Sequence, residues 1–296
     1  MDRNRVYAVL TATLFIMAFQ PAAGIAREKL PVAVASFSDQ TGKRLSGPAT
    51  DYVTETFVRL KYFRVLERAQ MDQVVREMER QQSDLMDAGT AVNLGRQMGA
   101  KLMVVGGVSG AGYNLAKEQC VIYDKDGNKQ DAVCLRASAT ATLNVRMVNV
   151  ETGEVVFSDV LSGAASERYQ PKSQPAPESA LVDQALRGAV RNLYSPVQKA
   201  FPLKGTVLKK EGQIIWVDLG SDWGIQKGRG LIIYRDQGQE IRHPQTGEIV
   251  GYERTELARD QASEVTPEMC KMKVSKKEAQ KIEVGDTVEA KPEIWY

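Results

Sequence analysis

The sequence predicts an α+β protein, with an N-terminal α/β sandwich followed by a small C-terminal all-β barrel domain. Between residues 30 and 200, short apolar runs alternate with segments whose apolar residues recur at helical spacing. After Phe201-Pro202, about five to seven short strand-like segments follow one another, separated by glycine-rich turns, which is typical of a small barrel or sandwich. We therefore expect an α/β domain at 27–200 and a β domain at 201–296.

Residues 1–26 have the pattern of a secretory signal peptide. Arg3 and Arg5 form a positive n-region, an apolar run covers 6–19, and small residues precede the expected cleavage site after Ala26. The apolar run is shorter than the about 20 residues that a membrane-spanning helix needs. We expect export to the periplasm, and an uncleaved N-terminal anchor is the alternative.

The charges of the chain are nearly balanced. There are 39 lysines and arginines against 37 aspartates and glutamates, which gives a formal net charge of +2. A nucleic-acid partner would favour a basic stripe, so we expect none. Because 43% of the residues are hydrophobic, the chain can bury the cores of about two domains.

Within the α/β domain, apolar patterns predict three strands, at 31–37, 63–67 and 101–108. A helix is expected to begin near Pro48, with Ser46 as its possible cap. Further along, we expect a helix with an apolar stripe, a helix at 90–98, a hairpin with its turn at Thr152-Gly153, and a helix from Ser179 to about Ala200. The stripe consists of Met71, Val74, Val75 and Met78.

Two of the three cysteines are placed to form a disulfide. Cys120 and Cys134 flank a segment with hairpin turn chemistry, and a three-residue loop centred on Gly127 would put them directly opposite each other. Opposed residues in an antiparallel pair come close enough for a disulfide, which an oxidising periplasm allows. Cys270 is left over, as a buried residue or a free thiol. The chain contains no CxxC motif, so the spacing of its cysteines does not suggest a metal site.

The sequence offers no catalytic constellation. His243 is the only histidine, and it precedes Pro244 in a turn, whereas nucleophilic catalysis needs a positioned base. Asp218, Asp222 and Asp260 are scattered, and a glycosidase-type carboxylate pair among them stays open. The glycine-rich stretch "GGVSGAG" lacks the spacing of a phosphate-binding loop, so its glycines serve a bend or a close backbone approach. We expect a protein that is not an enzyme and has no cofactor or metal.

Two aromatic residues are the candidates for contact with a partner. Trp223 lies in the turn "LGSDWGIQKG" of the β domain, where the alternative role is to cap the end of a barrel. Tyr113 begins the segment that leads into the cysteine-flanked hairpin.

Residues 63–108 are similar to the signature of the curli export channel (CsgG) family. The resemblance continues through "NVRMVNVETGEVV", so it covers about residues 30 to 200. It implies a TolB-N/CsgG-like α/β sandwich and an oligomeric ring at the outer membrane. The matching positions are Val65-Leu66-Glu67-Arg68, Asp84 to Asp87, Leu94-Gly95, Gly99-Ala100 and Gly106.

The sequence departs from this family in two respects. Curli channels are lipoproteins, but this chain has no cysteine before Cys120, so we expect no lipid-anchored N-terminus. Channel subunits also carry two long amphipathic hairpins that form a membrane barrel. At the corresponding positions this chain has a charged hairpin at 117–134 and a Pro-rich loop at 170–179. Neither segment contains the roughly ten-residue strands with alternating apolar residues that a membrane barrel needs. We expect a protein peripheral to the outer membrane that does not span it.

Residues 201–296 resemble the C-terminal domain of the flagellar assembly protein T (FlgT) family. Members of that family are non-lipidated and periplasmic, and they help to build rings around the outer-membrane end of the motor. The resemblance does not include their separate N-terminal domain. It rests on Gly205 to Val207, Val217 to Ser221, Gly224-Ile225, Gly228, His243 to Glu248, Gly251 and Val284 to Val288.

Together these patterns predict a non-enzymatic periplasmic assembly protein associated with the outer membrane. Our first hypothesis is a structural or ring component of a flagellar or related envelope machine. The alternatives are a curli-type secretion or transport component that forms an oligomeric ring, and an activator of a cell-wall enzyme. In each case we expect a homo-oligomer with protein partners in the cell envelope, either the flagellar basal body or a secretion complex.

Overall fold

The computed structural model of the protein describes residues 28–66, 88–123, 125–171 and 173–293. The expected signal peptide lies outside these described residues. So does the apolar stripe from Met71 to Met78, which stays a prediction.

The first half of the described chain forms a mixed sheet with helices on both faces, and the predicted α+β class is confirmed. Its strand order is β3-β1-β4-β5-β6, and the short β2 pairs with β4. β1 is parallel to β3 and β4, whereas β4, β5 and β6 form an antiparallel meander. The elements are β1 (Leu30–Val34), β2 (Ser38–Asp39), α1 (Ser46–Leu60), β3 (Phe63–Val65), α2 (Ala88–Met98), β4 (Leu102–Tyr123), β5 (Lys129–Asn149), β6 (Val155–Tyr169), α3 (Glu178–Arg191) and α4 (Tyr194–Ala200).

The two faces of this sheet bury separate cores because neighbouring side chains of a strand point to opposite faces. Val32 and Val34 of β1 join the larger core, which α1, α3 and α4 cover. Ala33 and Ala35 join a smaller core on the other face, where α2 contributes Leu94.

The start of α1 differs from the sequence prediction. Ser46 is the first helical residue and does not cap the helix with its side chain. Its hydroxyl donates instead to the carbonyl oxygen of Phe37, at 2.6 Å, and thereby ties the helix to the end of β1.

α3 lies unusually close to β6, at Gly163. A Cβ added at Gly163 would lie 2.1 Å from the carbonyl oxygen of Ala185 and 2.2 Å from the amide nitrogen of Ala189. These are backbone atoms of the helix, so they cannot swing aside as a side chain could. The sheet next to this contact also carries small side chains, Ala139 and Ala141, which are fully buried.

β4 and β5 are much longer than the sequence predicts. β4 was expected to end at 108, but it continues for 22 residues to Tyr123 and pairs with β5 throughout. The glycines permit a close approach here: a Cβ at Gly106 would lie 2.1 Å from the carbonyl oxygen of Asn144. The pairing of β4 with β5 shifts its register between Val108 and Gly110, as at a β-bulge.

The second half of the described chain is a six-stranded barrel closed in the order β10-β11-β8-β7-β12-β9. Its interior is filled by apolar side chains, among them Ile215, Leu219, Ile233 and Met272. The elements are β7 (Lys204–Glu211), β8 (Ile214–Val217), a 3-10 turn (Ser221–Trp223), β9 (Gly230–Arg242), β10 (Ile249–Val265), β11 (Cys270–Lys273), α5 (Lys276–Lys281) and β12 (Thr287–Ala290).

Candidate functional site

His243 and Asp218, two of the residues considered for catalysis, have structural roles in the fold. His243 closes its turn, since its Nδ1 accepts hydrogen bonds from the backbone amides of Gln245 and Thr246, at 3.3 and 3.2 Å. Asp218 accepts from the amide of Thr206. In the described parts of the chain, no group of three or more His, Cys, Asp and Glu side chains is placed to hold a metal ion.

Cys270 lies in the barrel core and forms no disulfide. Burial raises the pKa of its thiol to about 12, and the nearby carboxylate of Asp218 acts in the same direction. The thiol therefore stays protonated at physiological pH, which does not suit a nucleophile.

A two-stranded arm, defined as residues 114–123 of β4 and 129–136 of β5, is the most exposed regular part of the α/β half. Leu115, Val121, Tyr123 and Val133 are between 44% and 65% exposed. The alternation of side chains and the pairing of Gln119 with Val133 put all four on one face of the arm. We call this the apolar face of the arm. Val121, Tyr123 and Val133 are neighbours on this face, whereas Lys117 and Gln119 lie between them and Leu115. A contiguous patch of exposed apolar side chains marks a contact with another molecule.

A disulfide between Cys120 and Cys134 joins the two strands of the arm. The predicted register is wrong: Cys120 pairs with Ala132, and Cys134 pairs with Glu118. The two strands separate after Tyr123 and rejoin at Lys129, so the loop is centred on position 126 and not on Gly127 as expected. The cysteines are therefore diagonal neighbours, with their Cα atoms 5.8 Å apart.

Charges cross-link the same arm to β6. Arg136 Nε donates to Glu118 Oε2 at 2.7 Å, and Arg168 Nε of β6 donates to the other carboxylate oxygen. The hydrogen bond from Arg136 holds the pKa of Glu118 below its usual value, with Arg168 adding to the effect. Glu118 thus stays ionised at neutral pH, and its carboxylate accepts hydrogen bonds from both β5 and β6. The disulfide and this ion triplet together stiffen the arm.

We expect removal of the disulfide to loosen the arm without unfolding the protein. The chain-entropy model gives about 3 kcal/mol for a loop of about 15 residues, and the cross-linked cysteines are 14 positions apart. In a Cys120→Ser, Cys134→Ser variant, amide exchange of residues 115–135 should accelerate by about tenfold or more, while exchange in α3 stays unchanged. Hydrogen exchange with mass spectrometry measures both. Unchanged exchange in the arm would show that the ion triplet alone holds it.

The structure places the two aromatic candidates in different halves of the protein. Tyr113 precedes the arm and is half-buried against the large core, opposite Ala139. Trp223 ends the 3-10 turn and is half-buried against the barrel core, with the Lys29 ammonium 5.7 Å from its ring centroid. Both contacts are packing contacts, and a partner role for either residue stays a prediction.

Trp223 lies where the two halves of the protein meet. Lys29 Nζ donates to the carbonyl oxygen of Asp222 at 2.8 Å, and Lys61 Nζ donates to that of Ser221 at 3.1 Å. The side chain of Tyr62 packs against both hydrophobic cores. The barrel is therefore joined to the end of α1 by side-chain contacts as well as by the chain connection.

An ion pair between a buried arginine and a partly exposed glutamate lies at the same junction. The Arg229 side chain is only 5% exposed, pairs with Glu293, and donates from Nη2 to Gln198 Oε1 at 2.6 Å. Gln198 also accepts from the backbone amide of Glu293, at 3.2 Å. Since Gln198 belongs to α4 and Arg229 to the barrel, this polar cluster ties the two halves together. Its members are 31 and 95 positions apart, so no local pattern reveals them.

The family model for the curli production assembly/transport component CsgG matches residues 14–172, more than half of the chain. The chain therefore belongs to the CsgG family. No curated protein matches the sequence significantly. Among the helices of the described residues, none is long and apolar enough to cross a membrane.

Several solved structures are similar to parts of the chain. The LpoB C-terminal domain from Salmonella enterica is 16% identical and has a TM-score of 0.31, covering 50% of this chain and 88% of its own. The PelC dodecamer from Paraburkholderia phytofirmans is 16% identical with a TM-score of 0.28, covering 59% and 90%. Lipoprotein GNA1162 from Neisseria meningitidis is 11% identical with a TM-score of 0.31, covering 55% and 99%.

Proposed function

We propose that this protein is a non-enzymatic assembly protein of the cell envelope, located in the periplasm and associated with the outer membrane. Membership of the CsgG family, whose model describes an assembly and transport component, is the observation that carries this proposal. The arm adds a surface suited to such a role, because a stiffened hairpin presents four large apolar side chains to solvent.

The proposed mechanism is geometric. The apolar face of the arm packs against a second copy or another envelope protein, and the barrel docks to neighbouring components. Full burial of a large apolar side chain contributes about 1.5–3 kcal/mol. Leu115, Val121, Tyr123 and Val133 are already about half buried, so each contributes roughly half of that when an interface covers it. The polar cluster around Arg229 ties the barrel to the α/β half, which carries the arm.

Our first candidate for the machine is the flagellar basal body, with this chain as a structural or ring component. The support is the sequence resemblance of residues 201–296 to the C-terminal domain of flagellar assembly protein T. A curli-type secretion component is the second candidate, supported by the family match. An activator of a cell-wall enzyme is the third.

Mass spectrometry of purified hook–basal bodies from the source organism, washed at high salt, separates these candidates. Stoichiometric recovery of this chain is expected for a ring component of the motor. Its absence from the basal bodies, together with its abundance in the periplasmic fraction, would contradict the flagellar assignment and leave the secretion and cell-wall roles. The matched control is an abundant soluble periplasmic protein, which the salt wash should remove.

A further inference from the structure

The barrel holds the short helix α5 firmly in place. Ala279 of α5 and the nearby Ile282 are buried in the barrel core. Lys210 Nζ of β7 donates to the carbonyl oxygens of these two residues, at 3.0 and 2.7 Å. Ser275 caps the start of the helix and forms a capping box with Glu278. The outer face of α5 therefore has a fixed position on the barrel.

Four exposed lysines lie on and just before this helix. Lys277 and Lys281 are one helical turn apart and lie on the side of α5 away from the buried Ala279. Lys276 is exposed beside them in the first turn, and Lys273 is exposed at the end of β11. We call these four lysines the basic surface.

The charges around α5 leave a positive excess when every charged group is counted, paired or not. Between positions 273 and 281, four lysines face one acidic residue, Glu278, which leaves an excess of three. The groups that bond to α5, their ion-pair partners and an adjacent pair on β7 are balanced, with three of each sign. They are Lys209, Lys210, Arg235, Glu211, Glu283 and Asp286.

Two exposed apolar side chains lie beside the basic surface. Val284, three positions after Lys281, is 66% exposed, and Leu208 of β7 is 47% exposed. The amide of Gly285 donates to the carbonyl oxygen of Val207 at 2.9 Å, which brings Val284 alongside Leu208. Basic side chains next to exposed apolar ones are typical of surfaces that bind to membranes.

The basic surface lies away from the α/β half of the protein. Arg229, at the start of β9, bonds to Gln198 of α4. Arg235 lies 235 − 229 = 6 positions further along, which is about 20 Å of strand, and its Nη2 donates to the carbonyl oxygen of Lys281 at 3.0 Å. The α/β half therefore does not stand between α5 and a flat partner.

The residue type favours a lipid partner over a protein. Lysine is depleted in protein–protein interfaces, whereas arginine is enriched there. The lysine ammonium is a strongly hydrated point charge on a flexible stem, which suits the mobile phosphate groups of a lipid surface. Clusters of four to eight basic side chains bind anionic membranes, and each contributes about fivefold in affinity.

We propose that the basic surface binds the anionic phospholipid headgroups of a membrane, with Val284 and Leu208 entering the headgroup layer. The inference rests on the proposed function, because it places the protein at the outer membrane. It adds the surface of the chain that faces the lipid and the chemistry that holds it there.

Co-sedimentation with lipid vesicles tests this surface. The protein, purified from the periplasmic fraction, is mixed with vesicles of phosphatidylcholine that contain either no anionic lipid or about 30% phosphatidylglycerol. We expect binding to the anionic vesicles only. The binding should decrease as the salt concentration rises from about 0.1 to 1 M, because the Debye length falls from about 10 to 3 Å.

A triple variant of α5 and a charge-matched control locate the contact. Replacing the three lysines of α5 with glutamine should weaken binding by about a hundredfold, given about fivefold for each lysine. The control replaces three exposed lysines elsewhere with glutamine and should bind like the unchanged protein. The α5 variant is Lys276→Gln, Lys277→Gln, Lys281→Gln, and the control is Lys101→Gln, Lys199→Gln, Lys227→Gln.

Three results would overturn the proposal. They are equal binding to both kinds of vesicle, equal weakening by the two triple variants, and binding to soluble polyglutamate without binding to anionic vesicles. The last result would indicate an acidic protein as the partner. Crosslinking through Tyr123 of the arm in cells measures assembly separately. Loss of vesicle binding alone contradicts this inference, and loss of the arm crosslink alone contradicts the proposed function.

Discussion

Gly163→Ala is expected to lower the free energy of unfolding by about 3 kcal/mol, because overpacking a tight core contact costs about 1–3 kcal/mol and here the clash is with backbone. The added methyl group would lie within 2.2 Å of the backbone of α3, at Ala185 and Ala189. The helix would have to move away from β6 and open the large core. Urea unfolding, followed by circular dichroism, measures the change.

Gly188 is the matched control for this prediction. It faces Gly163 from α3, but a Cβ at Gly188 would meet its nearest neighbour at 3.8 Å, which is an ordinary van der Waals contact. Alanine is also a better helix former than glycine by about 1 kcal/mol. Gly188→Ala should therefore be neutral or stabilising. A Gly163→Ala variant as stable as Gly188→Ala would contradict the close packing of α3 on β6.

Arg229→Met is expected to destabilise the protein by about 1–3 kcal/mol, because the buried acceptor Gln198 Oε1 loses its charged donor. The substitution leaves Glu293 without its partner and removes the bond to Gln198. Glu293 adds little to this loss, because its side chain is 39% exposed and water can solvate the carboxylate once Arg229 is gone. The loss should also uncouple the two halves, so that urea unfolding shows two transitions instead of one.

Tyr62→Phe is the control at the same junction. The Tyr62 hydroxyl is buried and has no hydrogen-bond partner among the described residues, so its removal leaves no group unsatisfied. The ring still packs against both cores. We expect a change of at most a few tenths of a kcal/mol, or a small gain. If Arg229→Met were equally harmless, the polar cluster would not be what holds the two halves together.

Local patterns in the sequence predict much of this fold. Apolar residues at helical spacing predict α1 and α3, since each helix needs one buried stripe. The hairpin at Thr152-Gly153 was predicted from its turn residues, and Gly153 has the positive φ, +77°, that such a turn favours.

The features that sequence reasoning missed depend on long-range contacts. β4 extends past 108 because β5 pairs with its glycine-rich segment, which local propensity alone would bend. The cysteine register depends on where the loop after Tyr123 is centred, which is one position before Gly127. The partners of Arg229 lie 31 positions away at Gln198 and 293 − 229 = 64 positions away at Glu293. The alternation of apolar and polar residues along the arm is visible in the sequence. The exposure of its apolar side chains depends on where the helices pack, which local patterns do not show.

Photo-crosslinking at the apolar face of the arm tests the central claim most directly. Benzoylphenylalanine at Tyr123, irradiated in intact cells, should give one discrete species that contains a second copy of this chain or a defined envelope protein. Val121→Ser with Val133→Ser should abolish it, because the face then loses two of its four apolar side chains. The same probe at Val284, which is 66% exposed on the barrel half, should not give that species. Failure of Tyr123 to crosslink in cells rich in the protein, or the same species from Val284, would contradict assembly through the arm.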